Sequence, residues 1–341
     1  MLKADAYGHG TDRVVPLVME QGVNSVGITS NSEAQAVRNA GFTGRLLRLR
    51  AATPAEIEDA TEFAVEEQVC APEAAVRLRA MFDRGRLRAP VHLALNSGGM
   101  ARDSVELNTK AGRQSCAAIL ETLRGGIGGI STHFASNADP DLAHADARFQ
   151  NDVGWVLDHS DLNRAHILVH AGSSLTLVSE TPVRTDMYRC GAVLYGILKP
   201  DWGFCPTMDI EARIVSLQDY PAGSCVGYDH AARLDRDSRL ACISIGYQNG
   251  FSRVAADRSA VAIDGSLAPV IGKVSMNTII ADVSAIPSAA VGDAATVFGG
   301  KGEASIRPPD AERQFGTIMA DLYTDWGMSN DRVYCRGAVR R

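Results

Sequence analysis

Up to about residue 200 the chain alternates two patterns, and that alternation constrains the fold more than any other feature. Short apolar or β-branched runs read as buried parallel strands, at 25–29, 45–50, 63–69, 90–95, 128–134, 166–170 and 187–195. Between them, stretches of period 3.6 read as helices near 12–21, 32–40, 54–61, 72–83, 105–124, 141–159 and 174–180. Asn31/Ser32 before Glu33 and Thr53/Pro54 before Ala55 are helix starts, and Gly41 and Gly125 are stops. Residues 1–4 read as the tail of a first strand, which brings the count to eight βα units. Eight units favour a closed (β/α)8 barrel of the TIM type over an open doubly wound sheet. No G-x-G-x-x-G follows any strand, which argues against a dinucleotide fold.

From about Met208 the rhythm changes. Short runs at 210–217, 239–247, 260–263, 270–274, 278–283 and 294–299 are separated by turns rich in Gly, Pro, Asp and Ser. One helix is evident, near 314–326. The fold class is therefore α/β: a barrel over 1–207, with Pro206 marking a linker, then a mainly-β domain over 208–341. The length of 341 residues suits two such domains.

Composition narrows the function classes. The chain is 45% hydrophobic and 22% charged, as globular proteins are, and no apolar run is long enough to span a membrane. A net charge of −6 without a Lys/Arg stripe argues against nucleic acid as a partner. The seven cysteines stand singly, with no C-x-x-C and no Cys/His cluster at metal-ligand spacing, so no metal site is expected. They read as small buried hydrophobes. No apolar leader segment follows Met1.

In a barrel the chemistry sits at the C-terminal ends of the strands. Lys3 ends strand one, Arg102 follows strand five, His133 lies near the end of strand six, and Ser173 and Ser174 come just after strand seven. Arg189, Gly191 and Ala192 lie on strand eight. Converging Lys, Arg, His and Ser suit a phosphate-bearing carbonyl cofactor, with the amine condensing on the carbonyl and the other groups holding anions.

The residues also carry a family resemblance. Lys3-Ala4-Asp5-Ala6-Tyr7-Gly8-His9-Gly10 resembles the pyridoxal-phosphate lysine motif of the alanine racemase family. Six further stations match in order: Asn96-Ser97-Gly98-Gly99-Met100-Ala101-Arg102, Gly129-Ile130-Ser131-Thr132-His133-Phe134-Ala135, His170-Ala171-Gly172-Ser173-Ser174, the run from Tyr188 to Gly196, Gly246-Tyr247-Gln248-Asn249-Gly250, and Gly272-Lys273-Val274-Ser275-Met276-Asn277-Thr278. The match runs from Lys3 to about Arg332. Leu-Asn-Ser-Gly-Gly-Met and Gly-Lys-Val-Ser-Met-Asn-Thr are more similar to the broad-specificity amino-acid racemases than to the alanine-specific ones, which usually carry Asp-Thr-Gly-Met and Cys-Met-Asp there. Three positions depart from the family pattern: Asn249 stands for a common Asp, Ser173 for an Asn, and Cys190 for a frequent Pro.

The resemblance implies a barrel that holds pyridoxal 5'-phosphate, a β-rich second domain, and a head-to-tail homodimer whose second domain completes the partner's site. It implies Lys3 as the cofactor-bearing amine and one acid/base group, and Tyr247, from the partner subunit, as the opposite one. Two bases suit racemisation, which takes a proton from one face of Cα and returns it to the other. A phenol is a poor base at neutral pH, so Tyr247 needs a neighbouring cation or histidine, with His133 and Arg189 the candidates. Arg189 would face the pyridine nitrogen and Arg102 the cofactor's phenolic oxygen or the substrate carboxylate. Tyr7, Ser174, Gly191 and Ala192 would hold the phosphate, and the Met276 backbone the substrate carboxylate. Ser275 and Asn277 line the same turn, whereas His9, His144, His159 and His230 receive no role.

The expected activity is racemisation of several amino acids. An alanine-specific racemase is the alternative, and an inactive cofactor-binding homologue is the alternative of another class. A decarboxylase on this fold has no need of Tyr247 in its setting. Broad-range relatives imply a periplasmic location and alanine-specific ones a cytoplasmic one. Family members carry several tens of residues before the lysine, so strand one is expected to be mostly missing. The barrel is then expected to be strained or open between strands one and eight, and less stable.

Overall fold

The computed structural model describes residues 1–335, so the last six residues expected in the second domain lie outside it. Its contacts divide the chain into two units: Met1–Ala6 with Gly10–Leu194, and Tyr7–His9 with the residues from Tyr195 onward.

The first unit holds a parallel sheet of six strands in sequence order: β1 (Ser25–Ile28), β2 (Arg45–Ala51), β3 (Val65–Val69), β4 (Val91–Ala94), β5 (Ile127–Ser131) and β6 (Leu168–His170). Helices Asn31–Asn39, Pro54–Asp59, Pro72–Asp83, Lys110–Thr122 and Asp141–Asp158 connect them. One face of the sheet packs against these helices. Leu93, Ile130 and Val169 from the strands meet Leu78, Ile119 and Phe149 from the helices, all buried. Each such side chain contributes about 1.5–3 kcal/mol on leaving water. The start of Asn31–Asn39 is fixed by Ser30 and Glu33, which cap each other's backbone reciprocally.

The strand order is that of a (β/α) barrel, and the sheet is an open, curled version of it. Its two expected end strands are reduced. At one edge, before Lys3, Leu2 N donates to Gly27 O (2.8 Å). The segment expected to be strand 187–195 pairs only at Met187, in a bridge to His170. Side chains take over the ladder there: Val169 N donates to Asp186 Oδ2 (2.8 Å) and Ala171 N to Thr185 Oγ1 (2.9 Å). The expected helix at 174–180 is shorter, Ser174–Leu177.

The second unit is mainly β. Its strands are β7 (Ile210–Tyr220), β8 (Cys225–Val226), β9 (Ala232–Arg233), β10 (Ser238–Ile243), β11 (Ala260–Ile263), β12 (Ser266–Pro269), β13 (Ile279–Asp282) and β14 (Ala294–Phe298). Six of them form an antiparallel sheet in the order β12-β11-β14-β7-β10-β13, and β8 pairs β9. β7 shows the expected alternation, with Ile210, Ala212 and Ile214 inward and Glu211, Arg213 and Val215 outward. The run at 270–274 is not a strand beyond a single bridge at Val270. The one expected helix is two, Pro308–Phe315 and Met319–Ser329. Gly316, at φ 69°, ends the first in the left-handed conformation. Phe251, Phe298, Phe315, Tyr323 and Trp326 form the aromatic core, with ring centroids 5.1–5.7 Å apart.

The cysteines depart from the expectation of burial. Cys116 is buried, but Cys205, Cys225 and Cys335 are exposed, and all seven are free thiols. Among the described residues, no helix is long and apolar enough to cross a membrane.

Candidate active site

Lys3 opens a single left-handed helical turn. Ala4, Asp5, Ala6 and Tyr7 all have φ between 50° and 56°. Each non-glycine residue in that region costs about 1–2 kcal/mol, so the turn exists only because its surroundings impose it. Glu33 is the main restraint. Its carboxylate accepts from Ala4 N (2.6 Å) and Thr29 N (2.6 Å) while also capping the helix through Ser30 N (3.1 Å). Asp5 Oδ1 then accepts from Thr11 N (2.7 Å), starting the next helix. The Lys3 amine is held below the usual lysine range, first by burial and then by the charge of Arg102, with Glu33 opposing.

A second centre forms around Arg189. Its Nη2 donates to the Thr132 carbonyl (2.7 Å) and lies 3.3 Å from His133 Nδ1, and its Nη1 lies 3.1 Å from His170 Nδ1. Three of the five guanidinium N–H donors are thereby engaged. Burial lowers Arg189 to about 10, so it stays charged at neutral pH. His133 is pushed down to about 4 by burial and then by Arg189, Arg102 and Lys3, so it is neutral there. These four side chains therefore converge electrostatically.

Arg102 is exposed and reaches this centre from the loop after β4. Its Nε donates to Asp103 Oδ1 (2.9 Å), and Asp103 Oδ2 accepts from Ala51 N at the end of β2 (2.9 Å). The loop is folded by Asn96, whose Oδ1 accepts from Ala101 N (2.7 Å). Gly98 lets it lie against the His133 segment. A Cβ at Gly98 would stand 2.0 Å from the His133 carbonyl oxygen.

Ser174 joins the segment that carries Arg189. Its Oγ accepts from Gly191 N (2.9 Å) and Val193 N (3.3 Å), and Arg189 N donates to Gly172 O (3.2 Å). The Ala192 N–H, between those two donors, has no acceptor among the described residues. A serine hydroxyl beside main-chain N–H groups is a donor set suited to a phosphate, and an amine of lowered basicity suits a carbonyl. The residues of the first unit thus fit pyridoxal phosphate.

The second unit brings Tyr247 and Met276 together. Tyr247 begins a short 3-10 turn with its side chain 42% exposed. Tyr247 N donates to Ser275 O (3.1 Å) and Gln248 N to Met276 O (3.0 Å), while Asn277 Nδ2 donates to Gln248 Oε1 (2.9 Å). Gly246 must be bare, because a Cβ there would lie 2.4 Å from both carbonyl oxygens. Trp326 secures the far side by donating to Gly250 O (3.1 Å). Tyr7 groups with the second unit, its ring 4.9 Å from that of Tyr195. His9 stacks on the same Tyr195 ring at 4.6 Å.

His170, His92 and Glu66 receive no role from the sequence, and Glu33 only that of a residue in a helix's first turn. His170 opens the motif that ends at Ser174, but its partners lie on strands with no motif. A usable signal was present. Glu66 and His92 are polar residues within strands expected to be buried on both faces, and such groups need partners.

Family models describe the same two parts. The N-terminal domain of alanine racemase matches residues 1–199 and its C-terminal domain matches residues 207–334. A broad specificity amino-acid racemase of Aeromonas hydrophila is 39% identical over 97% of this chain and 82% of its own. The crystal structure of alanine racemase from D-cycloserine producing Streptomyces lavendulae is 23% identical. It superposes with a TM-score of 0.89 over 99% of this chain and 90% of its own. That of alanine racemase from Bartonella henselae, described with covalently bound pyridoxal phosphate, is 21% identical, with a TM-score of 0.85 over 98% of this chain and 91% of its own. With both family domains matched along nearly its whole length, the chain belongs to the alanine racemase family.

Proposed function

We propose that the protein is a pyridoxal-phosphate-dependent amino-acid racemase that interconverts the L and D forms of several amino acids. The observation that carries this reading is the match of both alanine racemase domains along the chain, with Arg189 Nη2 3.3 Å from His133 Nδ1 in the first unit. Broad range is supported by the Asn96–Met100 and Ser275–Asn277 sequences and by the 39% identical relative of that description.

When bound, the cofactor delocalises the electron pair left at Cα after proton loss. The remaining work falls to this chain. Lys3 holds the cofactor and takes or returns a proton on one face of Cα, and burial and the charge of Arg102 shift its amine towards the free form. Tyr247 does the same on the other face, from the second unit of a partner subunit. Arg189 would donate to the pyridine nitrogen and, charged at neutral pH, would keep its own proton rather than hand it over. An arginine at that place would restrain charge withdrawal from Cα and so favour return of the proton to Cα over transamination. Ser174 and the Gly191–Ala192 backbone hold the phosphate with Tyr7. Arg102 and the Met276 backbone orient the substrate carboxylate.

The test is direct. Purified protein with pyridoxal phosphate should retain the cofactor on Lys3 after borohydride reduction, as read by peptide mass. Chiral chromatography should show D-alanine, D-lysine and D-arginine formed from the L forms. Turnover of alanine alone would overturn the broad range, and loss of the label at Lys3 would overturn the cofactor role.

A further inference from the structure

A file of buried polar side chains runs behind Arg189, away from the cofactor residues. His170 Nε2 lies 2.9 Å from His92 Nδ1, and His92 Nε2 lies 2.7 Å from Glu66 Oε2. Arg45 grips the same carboxylate, Nε to Oε1 at 2.8 Å and Nη2 to Oε2 at 2.6 Å. Glu66, His92 and His170 are all buried, and Arg45 at the start of β2 is the part of the file that reaches water. Barrel interiors are normally filled with branched apolar side chains. A buried charged file in their place is at best neutral for stability, so it calls for another reason.

The hydrogen bonds have a fixed direction. An arginine can only donate, so His170 Nδ1 accepts from Arg189, and the His170 proton lies on Nε2. That N–H donates to His92 Nδ1, which puts the His92 proton on Nε2, donating to Glu66. A carboxylate gripped by Arg45 can only accept. Donors thus point one way from Arg189 to Glu66, and reversing any link sets two donors face to face. Burial and the charge of Arg189 hold His170 well below the usual histidine range, in keeping with a neutral ring. The backbone makes room for the link between the rings: a Cβ on Gly129 would lie 2.2 Å from His92 Nδ1.

We infer that Glu66, locked by Arg45, and His92 are positioning residues that fix His170 as the Nε2–H tautomer, so that His170 Nδ1 stays an acceptor and orients Arg189 towards the cofactor. This rests on the racemase reading for its consequence, but not for the tautomers themselves. The informative variant is Glu66→Gln. Its amide must aim N–H groups at either Arg45 or His92, so the isosteric change reverses or scrambles the file.

Nitrogen-15 NMR of the histidine rings in the cofactor-loaded protein, with His92→Gln and His170→Gln for assignment, reads the outcome. Wild type should show Nε2–H at both rings, and Glu66→Gln should move His170 to Nδ1–H or to a mixture. In the same variant, the ratio of transamination to racemisation events should rise about tenfold with KM changed less than about twofold. Nδ1–H at His170 in the wild type, or unchanged tautomers in the variant, overturns the inference. A wild type with the expected tautomers but no racemisation overturns the functional reading instead. If Glu66→Gln does not fold, the wild-type tautomers decide the matter alone.

Discussion

Gly98 and the His133 carbonyl oxygen are in such close approach that a single added Cβ would stand 2.0 Å from that oxygen. The glycine is therefore what lets the Arg102 loop reach the strand end that carries His133. Gly98→Ala is expected to cost about 1–3 kcal/mol by forcing the two segments apart. The check is chemical denaturation alongside cofactor affinity. Wild-type values for both would show that the loop can move aside.

Glu33 links the helix cap to the strained turn that displays Lys3. Glu33→Gln keeps the shape, but its amide nitrogen must face one of the N–H groups that the carboxylate now accepts. The expected loss is about 1–3 kcal/mol, the cost of a partly buried donor without an acceptor. Pyridoxal phosphate should also bind more weakly, which a spectral titration would measure. Lost stability with unchanged cofactor affinity would restrict Glu33 to the helix cap.

Acidity should act through His133. Its folded value of about 4 lies below the ordinary 6.5. The unfolded chain therefore binds the extra proton first, and stability falls as the pH drops from about 6.5 towards about 4. Urea midpoints across that window, compared with those of His133→Asn, should show a shallower loss in the variant. An identical slope would assign the acid sensitivity to other groups, among them buried His170, which is also held below the usual histidine range.

Sharing of sites between subunits has its own test. Lys3→Ala and Tyr247→Phe should each lower racemisation by about 10²–10⁴-fold, the usual scale for removing an acid/base group. If Tyr247 serves the partner's Lys3, a mixed dimer of the two variants pairs both defects in one site and leaves the other site intact. Mixing the unfolded variants and refolding them should then restore activity. No recovery, with mixed dimers present, would place both groups of each site in the same chain.

Much of this was legible in the sequence, because motif residues sit where strands end. Lys3 and His133 were placed at strand ends by pattern, Arg102 after strand five and Arg189 on strand eight, and His133 feels the charges of the other three in the structure. The strand count was less legible. At 187–195 the residues look like a strand, but Asp186 and Thr185 satisfy β6 through their side chains, and no ladder forms beyond Met187. The file behind Arg189 was hidden for a different reason. Glu66, His92 and His170 are far apart in sequence and come together only through strand register, with Gln68 opposite His92 and Ser131 opposite His170. The left-handed turn after Lys3 was equally silent, since Ala4, Asp5 and Ala6 carry no signal for positive φ.

The most direct measurement of the central claim is the fate of the Cα proton. L-Alanine, L-lysine and L-arginine are incubated separately with the cofactor-loaded protein in D2O, and the products are analysed by chiral chromatography and mass spectrometry. A two-base racemase should yield the D-enantiomers carrying a single deuterium at Cα, with neither oxo acid nor amine accumulating. Unchanged L-amino acid, or an oxo acid or amine as the main product, would contradict the assignment.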